Sequence, residues 1–326
     1  MKITDWAIIF VIIVSPFLWA LSLYTTDLQE VNRLQIHYTT ALRTAVQDAG
    51  SVLNRNELQQ FEVGYGSSKY MRADKERALS VLLQSLAINF GIADDPLAQA
   101  AFMKYIPSIV VIDYDGYWIY ALDEIRGADG EPSLEYRWHP KKRYVYMDGE
   151  GNSVAFTLDS YIRVISSSTG EEVRGLLEDI ATIVDIPLLQ DAAVFDQVRR
   201  STIVHQIEED LQQVIAVHNE FTARLGYTYT FTLPTIPQEE WNNTLDDVGI
   251  IAFLQGIPVG NHYYNNFALG GGRLRKAERI EGGFDPATGI KYYYYAKCEV
   301  PYKTEEVFAR KQEAASQGYY EADCRP

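Results

Sequence analysis

The feature that most constrains this chain is an uncharged apolar run at residues 6–23, WAIIFVIIVSPFLWALSL. Eighteen helical residues rise about 27 Å at ~1.5 Å per residue, close to the thickness of a bilayer core. Trp6 and Tyr24 stand at its two ends, where interfacial aromatic residues are expected. Pro16 predicts a kink, which membrane helices tolerate. The run therefore predicts a transmembrane anchor over residues 1–24.

The charges beside the run predict its direction. Lys2 is the one basic residue before it, whereas Asp27 and Glu30 follow it. The positive-inside rule then favours a cytoplasmic amino terminus and an extracytoplasmic position for the remaining ~300 residues. We predict an uncleaved signal-anchor and a single-pass protein of the cell membrane. A cleaved signal peptide is the alternative, because Ala20-Leu21-Ser22 resembles a small-residue cleavage site.

Beyond Tyr24 the apolar pattern becomes periodic, with alternating spacings of four and three residues as far as Ala49. Such heptad spacing predicts an amphipathic helical stalk over residues 25–61, continuous with the anchor and ending near Gly50 or Asn54. Two interpretations stay open: the stripe docks on the protein's own head, or it packs as a coiled coil against a helix of another envelope protein. In the second case the assembly seam comprises Leu28, Val31, Tyr38, Leu42 and Ala45.

The composition predicts a folded head without nucleic-acid partners. The 326 residues are 47% hydrophobic and 22% charged, which suits a chain with an ample core. Acidic residues outnumber basic ones 44 to 29, and the net charge of −15 repels nucleic acid and anionic lipid. We expect the short basic islands at residues 141–143 and 273–276 to be solvated faces.

Residues 62–72 form a break rich in glycine and serine, after which helical and strand patterns alternate. The fold class is therefore α+β, with a head of mixed helices and antiparallel sheet. We expect a helix plus β-hairpin domain at 73–170 and an α+β domain at 171–326. The patterns predict helices at 74–90, 95–106, 171–184 and 195–225, hairpins at 108–122 and 143–158, and strands at 227–233, 248–254 and 291–297.

The stretch VVIDYDGYWIYALDE, residues 110–124, contains the candidate ligand-binding residues Asp113, Asp115 and Tyr117. Asp115-Gly116 between two β-rich runs is a strong hairpin signal. An EF-hand is excluded because the position that needs glycine is Trp118. We expect the two acids to serve the turn and the surface. A ligand pocket beside them is one alternative, and an irregular calcium site that also uses Asp123 is another.

Cys298 and Cys324 are the two cysteines, and export favours a disulfide between them. It would close a loop of under ~30 residues and contribute roughly 3 kcal/mol, whereas two free thiols are the alternative. The five histidines lack metal-ligand spacing, and we expect His218, on an apolar helical stripe, to be a core residue. Residues 270–273 lack the lysine of a P-loop and predict a bend or bulge. We therefore predict no cofactor, no metal and no enzymatic activity.

Two resemblances follow from these segments. Residues 1–50 resemble the amino-terminal helix of type IV pilins and pilin-like proteins, including the Tad pilus class, with Asp5 at the place of their acidic fifth residue. The VIDYDGYWIYAL hairpin, preceded by helices, is similar to the central sheet of Cache- or PAS-like extracellular sensor domains. The first implies a noncatalytic structural or assembly component of a pilus-like or secretion machine. The second implies the alternative, an extracytoplasmic ligand-binding module that works with a partner subunit.

Overall fold

The structure is a computed structural model. It describes residues 3–53, 65, 67, 70–126, 132–272, 280–286, 288–295, 298, 300–308 and 311–322. Within these residues the chain combines helices with antiparallel sheet, which confirms the α+β class. The helices are α1 (Ile3–Val52), α2 (Lys75–Asn89), α3 (Pro96–Met103), α4 (Leu177–Ile180), α5 (Pro187–Gln190), α6 (Ala192–Arg224), α7 (Gln238–Thr244) and α8 (Lys311–Ser316).

Most of the strands belong to one large sheet, and four belong to a small one. The large sheet contains β1 (Ser108–Asp113), β2 (Gly116–Arg126), β3 (Pro132–Trp138), β4 (Lys142–Met147), β5 (Ser153–Phe156), β6 (Tyr161–Ile165), β7 (Glu172–Leu176), β8 (Val248–Val259) and β9 (His262–Gly272). The small sheet contains β10 (Ile280–Phe284), β11 (Lys291–Tyr295), β12 (Lys303–Phe308) and β13 (Tyr320–Glu321).

Helix α1 is a single element of 50 residues that continues through Pro16. Its most apolar 18-residue window has a mean hydropathy of 1.5, and none of that window is buried in the protein. Trp19, for example, is 69% exposed. Within the described residues α1 is the one helix long and apolar enough to cross a membrane. A core helix of this composition would be mostly buried, so the apolar part of α1 fits a membrane anchor or a signal sequence.

The outer part of the same helix belongs to the core of the head. Leu42, Ala45 and Ala49 are at most 1% exposed, and the ring of Tyr38 stacks on Phe90 with 5.1 Å between centroids. Three positions of the predicted assembly seam, Tyr38, Leu42 and Ala45, therefore contact the protein's own head and are not open to a partner helix. Of the other two, Val31 is partly buried and Leu28 is 43% exposed. The predicted stalk residues 54–61 lie outside the described residues.

The large sheet is antiparallel, with the order β7-β6-β5-β4-β2-β1-β8-β9 and with β3 paired to β2. Strand β1, inside the sheet, pairs with β2 on one side and with β8 on the other. Helix α1 packs against β8 and β9, whereas α6 packs against β1, β2 and β4. Since β8 comes from the second predicted domain and β1 from the first, the boundary predicted at residue 170 falls inside one continuous sheet.

Several predicted elements are present, and two are wrong. The hairpin of β4 and β5, the long helix α6, the buried strand β8 and the tyrosine-rich strand β11 are confirmed. Residues 171–184 are not one helix, because Glu172–Leu176 pairs with β6 as strand β7 before the short α4. Residues 227–233 form no strand, because side chains bind their backbone: Asn219 Oδ1 accepts from Phe231 N at 2.7 Å and Gln255 Oε1 accepts from Thr232 N at 3.1 Å.

Glycines allow α1 to lie directly on β9. A Cβ atom at Gly270 would be 2.5 Å from the carbonyl oxygen of Val46, and one at Gly50 would be 3.1 Å from the backbone nitrogen of Gly271. The glycine-rich end of β9, predicted as a bend or bulge, is thus regular strand in contact with the helix backbone.

We expect Gly270→Ala to destabilise the head by about 1–3 kcal/mol, because the added methyl group forces α1 away from β9. Urea unfolding of the detergent-solubilised chain measures this difference. Gly149→Ala is the matched control, since nothing lies within 4 Å of a Cβ atom there. Equal stability of the two variants would contradict the close packing.

The predicted core position of His218 is confirmed. Its side chain is 0% exposed, its Nε2 lies 3.1 Å from the carbonyl oxygen of Lys104, and its ring meets Phe231 edge-on. Burial lowers the pKa of His218 from 6.5 to about 4. The folded protein therefore holds this histidine neutral across the range in which the unfolded chain already binds a proton.

This shift predicts a loss of stability on acidification from pH 6.5 to 4, because only the unfolded state takes up the proton in that window. The loss amounts to about 3 kcal/mol from this one residue. Urea unfolding at several pH values measures it, and His218→Gln removes the titrating group. An equally steep pH dependence in the variant would assign the effect to another residue.

Candidate functional site

The turn between β1 and β2 is the centre of the predicted site. Asp113 pairs with Gly116, so Tyr114 and Asp115 form the two-residue turn, one position earlier than the sequence indicated. The turn is buried rather than exposed: Asp113, Tyr114 and Asp115 are 2%, 0% and 5% exposed. The expectation that these acids serve the surface is therefore wrong.

Lys141 joins the two acids. Its Nζ lies 2.7 Å from Asp113 Oδ2 and also donates to Asp115 Oδ1. The other oxygen of Asp113 accepts from the backbone nitrogens of Ala73 and Tyr114, and that of Asp115 accepts from the Tyr65 hydroxyl at 2.6 Å. Lys141, expected on a solvated face, is only 11% exposed. This ion cluster, Asp113–Lys141–Asp115, holds the segment before α2 onto the β1–β2 turn.

Electrostatics favour the charged form of Asp115 in the ion cluster. Burial alone would raise the pKa of Asp115, but the charge and hydrogen bond of Lys141 outweigh burial and hold that pKa below its usual value. Burial, together with the charge of Asp115, raises the pKa of the neighbouring Tyr70 to about 12. Asp115 thus stays charged, and Tyr70 keeps its hydroxyl proton. No group of acids, histidines or cysteines among the described residues is arranged to hold a metal ion.

Tyr117, the third predicted ligand residue, points away from the ion cluster. Its hydroxyl donates to Asp210 Oδ2 at 2.5 Å and lies 3.0 Å from the carbonyl oxygen of Gln206, both on α6. The structure therefore brings Asp113 and Asp115 together but uses Tyr117 to fasten α6 to the sheet. None of the three is among the residues that line the two clefts described below.

An open cleft of about 700 Å³ lies next to this region. Asp159 connects the two, because it lines the cleft and its Oδ1 accepts from the hydroxyls of Tyr114 at 2.8 Å and Thr157 at 2.9 Å. The cleft lies between the loop after β5, the short α4 and the first turns of α6. Its lining residues are Ser67, Leu158, Asp159, Ser160, Leu176, Leu177, Glu178, Ala192, Phe195, Asp196, Arg199, Arg200 and Asp246.

Two arginines and two acids form the charged wall of the cleft. Arg199 is 3% exposed, and its guanidinium lies 2.6 Å from Asp196 Oδ1 and 3.7 Å from Asp246 Oδ1. Arg200 Nε lies 2.8 Å from Asp196 Oδ2, and its Nη2 donates to Asp246 Oδ1. The side chains of Asp196 and Asp246 are 48% and 56% exposed. A bound molecule can therefore reach both carboxylates while the buried arginine holds them in place.

A second cleft of about 560 Å³ continues along α6 and shares Asp196 and Arg200 with the first. Sequence spacing alone does not identify these residues as part of a site. Asp196 and Arg200 are four apart on a helix, a spacing that indicates an ion pair. Asp159 and Asp246 come from distant loops, so no local pattern could place them beside α6.

Two predictions fall on undescribed parts of the chain. Cys324 lies outside the described residues, so the disulfide between Cys298 and Cys324 stays a prediction. The basic island at 273–276 and the side chain of Asp5 lie outside them too.

We expect Lys141→Met to destabilise the head by roughly 3–5 kcal/mol, because it leaves two buried carboxylates without their cation. Lys142→Met is the matched neighbour: Lys142 is 49% exposed and pairs with Asp210, so its loss should cost at most about 1 kcal/mol. Urea unfolding at pH 7 compares them. Similar losses in both variants would show that the ion cluster is not the stabilising element.

No protein-family model matches this chain, and neither a curated protein nor a solved structure matches it significantly.

Proposed function

We propose that this is a single-pass, outward-facing cell-envelope protein whose head binds a small polar ligand without catalysing its conversion. The observation that carries the proposal is the cleft in which the buried Arg199 and its neighbour Arg200 orient the half-exposed Asp196 and Asp246. Leu158, Leu177 and Phe195 supply apolar surface beside these charges. A few fixed polar groups on an apolar wall are typical of ligand sites.

The position of the cleft supports an outward-facing role. The backbone nitrogen of Asp74 donates to the carbonyl oxygen of Leu53. The segment before α2, which contacts the ion cluster, therefore lies beside the end of α1. The cleft adjoins this same end through Asp159 and Tyr114. It therefore lies near the end of α1 that is remote from residues 6–23. With the anchor in a bilayer, a ligand would enter from the aqueous side.

The ionisation of the cleft supports a noncatalytic role. Burial opposes ionisation of Asp159 and Asp196, but hydrogen bonds to each carboxylate outweigh it and lower both pKa values. The pKa of Arg200 is raised, because its bonds to Asp196 and Asp246 outweigh burial. These shifts all move away from neutral pH, whereas a general acid or base needs a pKa near the working pH.

The test is a thermal-shift survey of the detergent-solubilised chain with pooled amino acids, amines, carboxylates and sugars. We expect one class to raise Tm, because a ligand of the folded state stabilises it, and Arg200→Gln to abolish that shift. Arg174→Gln, an exposed arginine on β7 outside the cleft, is the control and should keep it. If no class shifts Tm, the binding proposal fails; if the ligand is consumed, the noncatalytic proposal fails.

A role in assembling a pilus-like or secretion machine is the second candidate. It is supported by the part of α1 between anchor and head, where Leu28 is 43% and Ile36 is 67% exposed. Exposed apolar side chains on one helix suit contact with another envelope protein. Co-purification of such a protein with wild type but not with Leu28→Asn would favour this candidate over ligand binding.

A further inference from the structure

We propose that the head rests directly on the lipid headgroups through a membrane-facing rim, formed by the tip of the β8–β9 hairpin at residues 259–263 and the neighbouring end of α6. This inference rests on the membrane anchoring in the proposed function. The partner is a phospholipid surface, and the part of the head that contacts it lies outside the cleft.

The height of the rim follows from the continuity of α1. The apolar run ends at Leu23, and the hairpin tip meets α1 at Val31, where a Cβ atom at Gly260 would lie 2.8 Å from Val31 Cγ2. Eight residues of helix rise about 12 Å. A bilayer core of ~30 Å within a total of ~40–45 Å leaves roughly 5–8 Å of headgroups on each side. The tip is then only about 4–7 Å above the headgroups, the length of one large side chain.

The rim presents amphipathic side chains at this height. Tyr263 is 50% exposed and packs against Tyr229 with 5.0 Å between ring centroids, and His262 beside it is exposed. Leu225, at the end of α6, is 49% exposed. Tyrosine combines an apolar ring with a polar tip and is enriched at membrane–water interfaces.

The connection between α2 and α3 lies at the same end of the head. Helix α2 runs antiparallel to α1, since Ser85 bonds to Asp48 and Phe90 stacks on Tyr38. The end of α2 therefore points toward the membrane side. Leu97, just after this connection, is 84% exposed. Because Phe90 lies level with Tyr38, seven helical residues or about 10 Å above Val31, this connection stands higher than the hairpin tip and is not part of the rim.

Charge does not drive this contact. The net charge of −15 disfavours attraction to anionic lipid, so the rim must act through its aromatic and apolar side chains. A neutral phosphatidylcholine surface should therefore suffice, and added salt should leave the contact unchanged.

The test reconstitutes the full chain in phosphatidylcholine nanodiscs with the photocrosslinker p-benzoylphenylalanine at one position. With the crosslinker in place of His262, we expect mass spectrometry to detect a lipid adduct. We expect an adduct as well with the crosslinker in place of Thr26, three residues beyond the apolar run. In place of Glu178, in the distant cleft, we expect none. An adduct at Thr26 but not at His262, or equal adducts at His262 and Glu178, would overturn the rim proposal.

A height variant tests the same geometry. Seven helix-forming residues inserted after Thr26 raise the head by about 10 Å and rotate it by only about 20°. The adduct at His262 should then disappear while that at Thr26 persists. If the adduct at His262 persisted, the head would not be held at a fixed height above the bilayer. Failure of the chain to enter nanodiscs, with no adduct at Thr26, would instead refute the membrane anchoring.

Discussion

The structure depends on one shared element, the helix α1, which is both the exposed apolar segment and part of the core. Glycine at positions 50 and 270 lets its backbone reach β9, and Leu42, Ala45 and Ala49 fill the interface. The apolar face of β8 and β9 has no other cover of this length among the described residues. The exposed apolar segment and the head are therefore mechanically one piece, and any tilt of that segment reaches the sheet.

At the other end of the head, buried charges replace apolar packing. The ion cluster of Asp113, Lys141 and Asp115 joins the turn to the segment before α2, and Asp159 extends the hydrogen bonding to the cleft. Buried ions gain little net stability, but a misplaced partner leaves one charge uncompensated. The network thus defines one arrangement of these loops. Arg199 and Arg200 of α6 pack beside the loops in that arrangement.

Periodicity made the long elements predictable: α1, α6, β8 and the two hairpins all follow from local spacing. The failures have a common physical cause. Residues 172–176 form a strand because their backbone pairs with the edge of β6. Residues 227–233 form none, because the side chains of Asn219 and Gln255 take up backbone hydrogen bonds that a strand would need. The role of Asp113 and Asp115 depended on Lys141, a residue 26 to 28 positions away. The cleft needs Asp159, Asp196 and Asp246 together, and only tertiary packing joins them.

The pairing of α1 with β9 also sets the order of events during synthesis. Thr39 Oγ1 accepts from Tyr264, 225 positions later in the chain. At ~5–20 residues per second, the ribosome needs roughly 10–45 s to make that intervening stretch. Through this interval the apolar stripe of α1 has left the ribosome without its sheet. Until its last long hairpin is made, a chain built this way leaves that stripe without the strands that bury it.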